Sequence, residues 1–170
     1  MIRILIFYRK DSKNSLKNIG LILFDIDGVI RSVENSYRLS LKKTVHKFSG
    51  WEPSYIDIDN AKNEGIWNND WDLSLELIKR FFKKEKFNLE IPSREEIIKC
   101  FEEFYFGGDP NGDSKDWSGF ITNEELLVDK KFFDLLESVG IIWGFVSGAE
   151  SASAKFVLEK RLGLKSPPLI

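Results

Sequence analysis

The run Leu21-Ile22-Leu23-Phe24 is wholly apolar and ends on Asp25-Ile26-Asp27-Gly28, two carboxylates one residue apart followed by a glycine. An apolar run this short, bounded by turn residues and rich in branched side chains, predicts a strand buried on both faces. A strand of that kind tolerates charge only where it leaves the apolar interior, so Asp25 and Asp27 mark its carboxyl end. In open α/β sheets that end is where ligands bind. The alternative is a plain Asp-Gly turn, which a half-solvated hairpin would show as apolar and polar residues alternating. Residues 21–24 do not alternate, so a central strand is the better reading.

Alternation along an extended chain puts Asp25 and Asp27 on one face, while Gly28 lets the backbone turn without a Cβ clash. Hard oxygen donors in a pair suit Mg²⁺, which takes one or two carboxylates and fills its remaining positions with water and phosphate oxygens. The chain has one His and one Cys, which leaves little for a softer metal. Two neighbouring carboxylates also resist ionising together, so one can remain an anionic nucleophile while the other carries a proton. Aspartate attack on phosphorus would split a slow hydrolysis into two steps, with an acid at hand for the leaving oxygen.

A second strand signal lies at Gly140-Ile141-Ile142-Trp143-Gly144-Phe145-Val146-Ser147-Gly148-Ala149. Ser147 closes this run ahead of a helix-forming stretch, Glu150 to Glu159, so its hydroxyl and the Gly148 amide are expected near a helix N-terminus, where anions are favoured. A plain capping box, Ser147 with Glu150, accounts for the same residues without any ligand. Taken together, Phe24-Asp25-Ile26-Asp27-Gly28-Val29-Ile30 and the Ser147-Gly148 strand end resemble the first two motifs of the haloacid dehalogenase-like (HAD) hydrolases. The resemblance implies an α/β fold with a Rossmann-like parallel sheet. Asp25 would be the nucleophile, Asp27 the general acid/base, and Ser147 the hydroxyl that holds the transferring phosphoryl group. It also implies Mg²⁺ on the Asp25 carboxylate and the Asp27 backbone carbonyl.

About 120 residues separate Asp25 from Ser147, far more than a loop. Tyr37, Leu41, Val45 and Phe48 recur at helical spacing before Gly50; a second helix is expected from about Trp71 to Lys84, capped by Asn69 or Asp70; a third follows the capping box Ser93/Glu96 and ends at Gly107-Gly108. No strand pattern interrupts them. In the resembled family a helical cap in this place excludes water and chooses substrate. The organisation expected is therefore an α/β core from residues 20–32 and 125–170, an all-helical cap from 33–124, and a leader, 1–19, that is an added edge strand or, preferably, an extension. After the cap, Phe132, Leu135, Leu136 and Val139 predict an amphipathic helix stopped by Gly140.

Other features read as structure. Trp67-Asn68-Asn69-Asp70-Trp71 is expected to cap a helix and seat its indoles in the cap core. Arg31 and Ser32 suit a solvated turn or a phosphate contact equally, and His46 and Cys100 fall inside helical patterns. Asp109-Pro110-Asn111-Gly112-Asp113 opens like a calcium loop, but Ser114 and Phe120 stand where Gly and Glu are required. A net charge of −2 gives no basic footprint for nucleic acid, and no run reaches membrane-spanning length. One Cys permits no internal disulfide, which makes a cytoplasmic location the expectation.

The resembled family has two further motifs, a lysine that neutralises phosphoryl charge and an acidic pair that completes the Mg²⁺ site. The chain reaches Leu164-Lys165-Ser166-Pro167-Pro168-Leu169-Ile170 without either, and Lys155 and Lys165 stand in the wrong context. It is expected to be a C-terminally truncated member with an incomplete sheet. The expected function is a Mg²⁺-dependent phosphatase acting on a small phosphorylated metabolite through an aspartyl-phosphate. The alternatives are a catalytically incomplete remnant that binds a phospho-ligand or partner, and a phosphomutase. Substrate identity and oligomeric state are not encoded in any of these features.

Overall fold

The computed structural model describes residues 2–10, 16–165 and 167. Residues 1 and 11–15 of the leader, and 166 and 168–170 of the C-terminal tail, lie outside the described residues. The chain divides into two compact units: Met1–Val33 with Glu125–Ile170, and Glu34–Glu124.

The first unit is built on a three-stranded sheet of order β1-β2-β3, where β1 is Ile2–Lys10, β2 is Leu16–Phe24 and β3 is Ile142–Phe145. β2 and β3 run parallel with Leu21 opposite Ile142 and Phe24 opposite Phe145. β1 pairs antiparallel with β2 from Ile2↔Phe24 to Lys10↔Leu16, so the sheet is mixed and not purely parallel. Within the leader, residues 16–19 already belong to β2, and Ile2–Lys10 forms an edge strand, one of the two alternatives. Its run of Ile, Leu, Phe and Tyr has the side chains that favour strands, and an antiparallel partner is within reach of a short connection.

Helix α5 (Lys130–Ser138) and helix α6 (Ser151–Lys155), which continues as a π-helical segment (Phe156–Arg161), complete this unit. Its core gathers Phe24, Ile26, Ile30, Phe133, Leu136, Phe145, Val157 and Leu158. α5 buries Phe133 and Leu136, while Phe132, Leu135 and Val139 are exposed, so the helix is rotated from the expected face. The cause is aromatic packing: Phe133 meets Phe24, Trp143 and Phe145 with ring centroids 5.6, 4.8 and 5.7 Å apart.

The second unit is helical, with no strand among the described residues: α1 (Tyr37–Ser49), α2 (Tyr55–Lys62), α3 (Asp70–Glu85) and α4 (Arg94–Tyr105), followed by 3-10 turns at Ser114–Asp116 and Phe120–Asn123. Gly50 ends α1 in the left-handed region at φ 73°, donating its N–H to the His46 carbonyl. Asn69 caps α3 by accepting from the Trp71 and Asp72 amides, and Ser93 with Glu96 forms a reciprocal capping box on α4. The core of the unit is Leu41, Val45, Leu73, Ile78, Phe82, Ile97 and Phe101. Trp67 and Trp71 do not enter it. They lie half-buried beneath Arg80 and Arg94, with guanidinium carbons 5.8 and 5.7 Å from the ring centroids, because a partly wet indole face suits a cation better than the core does. His46 is exposed and Cys100 is buried. After α4 the chain doubles back so closely that a Cβ on Gly119 would stand 2.4 Å from the Tyr105 carbonyl oxygen. The carboxylates of Asp109 and Asp113 accept from the amides of Asn111 and Lys115, which explains the calcium-like spacing as turn chemistry. No helix among the described residues is long and apolar enough to cross a membrane.

Candidate active site

The end of β2 is drawn out by one further ladder bond, from the Val146 amide to the Phe24 carbonyl at 2.9 Å. Beyond it the chain turns inward: Ile26 is buried, and Asp25 and Asp27 on either side of it are half-buried. The turn is closed by the Ile26 carbonyl, which accepts from the amides of Val29, Ile30 and Arg31, while Gly28 adopts φ 73° and donates to the Arg31 carbonyl. Only glycine takes that backbone conformation without strain. The loop is then pinned to the returning chain by Ser32 N–H to the Glu125 carbonyl and Leu127 N–H to the Ile30 carbonyl, both at 2.9 Å.

β3 ends level with β2 because their register sets Phe145 beside Phe24. Ser147, two residues on, therefore meets Asp25: its Oγ donates to Asp25 Oδ1 at 2.9 Å across a sequence separation of 122. The same carboxylate oxygen accepts from the Ile26 amide at 2.7 Å, so the side chain is held in place by two donors. Ser147 Oγ in turn accepts from the Ala149 amide. Gly148 is exposed, with open space around its α-carbon.

Two of the readings above are corrected, the Ser147/Glu150 capping box and the solvated Arg31 turn. Ser147 does not cap α6. Glu150 does, with Oε1 and Oε2 accepting from the amides of Ala152 and Ser153 at 3.1 Å each. Those first-turn amides are satisfied by the chain's own carboxylate, so the helix start is not an open anion site. Arg31 is not in a solvated turn. Its side chain is fully buried, donating from Nε to Asp27 Oδ1 at 2.7 Å and from Nη2 to Ser153 Oγ at 3.2 Å. The four-residue spacing from Asp27 was the one signal in the sequence for this pair. Lys155 is exposed on α6, the solvated place its position in the sequence implies.

Asp25 and Asp27 offer oxygen donors of the kind Mg²⁺ prefers, in the number it commonly takes from a protein. Among the described residues no group of three or more His, Cys, Asp or Glu side chains gathers to hold a metal. The donor set thus fits a cation that keeps several waters, and not a dedicated all-protein cage.

No family model matches the chain. Over 86 residues, 51% of the chain, it is 34% identical to an imidazoleglycerol-phosphate dehydratase of Phytophthora nicotianae, a match that spans only 18% of that relative. Among solved structures, phosphatase Tt82 from Thermococcus thioreducens is similar with a TM-score of 0.65 and 22% identity, covering 88% of this chain and 71% of the other. The chain therefore has a phosphatase-like α/β fold, helix-rich, around a small sheet whose parallel strand pair ends at Phe24 and Phe145, just ahead of Asp25 and Ser147.

Proposed function

We propose that this chain is a HAD-type phosphatase acting on a small phosphorylated metabolite. One observation carries the reading: the Ser147 hydroxyl stands 2.9 Å from the Asp25 carboxylate at adjacent parallel strand ends, with Asp27 two residues further along the same loop. That constellation supplies a nucleophile, a hydroxyl to hold the group under attack, and a second carboxylate for the proton. The similarity of fold to a phosphatase supports it, and the helical unit Glu34–Glu124, which lies between the two strand ends in sequence, is assigned the part of a cap in this reading.

In this mechanism an Asp25 oxygen attacks phosphorus, the P–O bond to the alcohol breaks, and the leaving oxygen takes a proton from Asp27. Water then attacks the aspartyl-phosphate, gives its proton back to Asp27, and releases phosphate from Asp25. Ser147 and the Gly148 amide orient the phosphoryl oxygens. Mg²⁺ would be held by the Asp25 carboxylate and the Asp27 backbone carbonyl, and when bound it would neutralise phosphoryl charge. The matched relative is named for imidazoleglycerol phosphate, so small phosphate monoesters, that compound included, are the substrates to test first.

Purified protein is assayed with p-nitrophenyl phosphate, with and without Mg²⁺. Mg²⁺-dependent release of p-nitrophenol that Asp25→Asn abolishes is the expected outcome. No turnover, or turnover that Asp25→Asn leaves unchanged, refutes the reading.

A further inference from the structure

We propose that Arg31 is a positioning residue of this site: it fixes the Asp27 carboxylate relative to Ser147 without itself touching a ligand. The inference rests on the phosphoryl-transfer reading above. Arg31 is 0% exposed, whereas the Asp27 side chain is 33% exposed, so the carboxylate has an open side and the guanidinium has none. A cation so enclosed is tolerated only when paired and hydrogen-bonded. Here two edges of the guanidinium reach two different segments. Nε holds Asp27 Oδ1 at 2.7 Å, and Nη2 holds the buried Ser153 Oγ at 3.2 Å. Ser153 is itself tied down, donating Oγ to the Glu150 carbonyl at 2.9 Å and N–H to Glu150 Oε2 at 3.1 Å.

The result is a continuous set of hydrogen bonds from the loop after β2 to the first turn of α6, the helix that follows Ser147. Asp25 and Ser147 are joined directly; Asp27 is joined to the same region through Arg31. A planar fork with donors fixed in two directions performs this task, and a lysine ammonium does not reproduce it. A purely structural ion pair would register its loss in folding stability and leave the kcat of the folded variant unchanged.

The test compares Arg31→Met, Arg31→Lys and Ser153→Ala with the wild type, with Mg²⁺ present. It measures kcat and KM for p-nitrophenyl phosphate, the affinity for inorganic phosphate by calorimetry, and folding by circular dichroism. Misplacing the acid/base group lowers kcat about 100-fold in Arg31→Met, within the range for such catalysis, while KM and phosphate affinity hold. Arg31→Lys recovers part of the loss through its charge, and Ser153→Ala, which frees one edge of the fork, gives a smaller fall in kcat. A folded Arg31→Met with wild-type kcat overturns the inference. So does phosphate affinity falling in step with kcat, which would make Arg31 a phosphate ligand. Should Arg31→Met not fold, wild-type kcat in both Arg31→Lys and Ser153→Ala overturns it equally. A wild type without turnover removes the phosphatase reading and this inference together, whereas an active wild type with unaffected variants removes the inference alone.

Discussion

Replacing Phe133 by alanine tests which face of α5 holds the sheet. Phe133 is fully buried, and its ring packs against Phe24, Phe132, Trp143 and Phe145 with centroids 4.8–5.7 Å away. Truncating a buried phenylalanine costs about 3–5 kcal/mol, because the lost transfer energy is joined by a cavity that neighbouring rings only partly fill. For a chain of this length each kcal/mol lowers Tm by about 2–4 °C, which puts the expected fall at about 6–20 °C. Leu135, two residues on, is 59% exposed, and its truncation is expected to stay within about 0.5 kcal/mol. Urea unfolding followed by tryptophan fluorescence suits the comparison, since Trp143 is a direct neighbour of Phe133. Phe24 and Phe145 immediately precede the Asp25 and Ser147 loops, so p-nitrophenyl phosphate turnover falls with Phe133→Ala and not with Leu135→Ala. Equal destabilisation by the two substitutions, or a larger effect from Leu135→Ala, would show that α5 presents another face and would refute the packing argument.

Two further outcomes follow from local geometry. The Arg80 guanidinium, bonded bidentately to Glu64, and the Trp67 indole N–H hold the Glu64 carboxyl down at about 2 from an ordinary 4.5. The folded value lies below the unfolded one, so this contribution is full above pH 4.5 and is lost as pH falls through about 2. Thermal melts of wild type and Glu64→Gln should therefore differ at neutral pH and converge near pH 2; a gap independent of pH contradicts the pairing. At Gly119, an added Cβ would stand 2.4 Å from the Tyr105 carbonyl oxygen and 2.5 Å from the Gly107 nitrogen. Both neighbours are backbone, so Gly119→Ala is expected to cost about 1–3 kcal/mol in a denaturant melt, and an unchanged midpoint would refute the close approach.

Much of the helical unit was legible because its signals are local. Gly50 after α1, Asn69 before α3 and the Ser93/Glu96 box before α4 each act within a turn or two of chain. α2 escaped notice for the same reason in reverse. It buries only Ile58 and Ala61, and its capping box places Asp57 where Glu or Gln is usual. The phase of α5 was ambiguous because Phe132, Phe133, Leu135 and Leu136 offer two apolar stripes, and only the rings of the sheet choose between them. At the site, the Asp25 and Ser147 strand ends could be read from the apolar runs that deliver them. That Glu150 and not Ser147 caps α6, and that Arg31 is buried, depend on contacts between distant segments, which no periodicity encodes.

The parallel pairing of β2 with β3 also governs when the site can exist during synthesis. β2 leaves the ribosome long before its partner, since Asp25 and Ser147 are 122 residues apart. At usual translation rates that interval is about 6–25 s, during which β2 would present apolar, unpaired edges of the kind that recruit other chains. The antiparallel ladder with β1 shortens that exposure on one side, because β1 and β2 are neighbours in sequence and can pair as soon as both are made. β1 thus acts as a built-in guard for the strand that carries Asp25, occupying one edge while the other waits for β3.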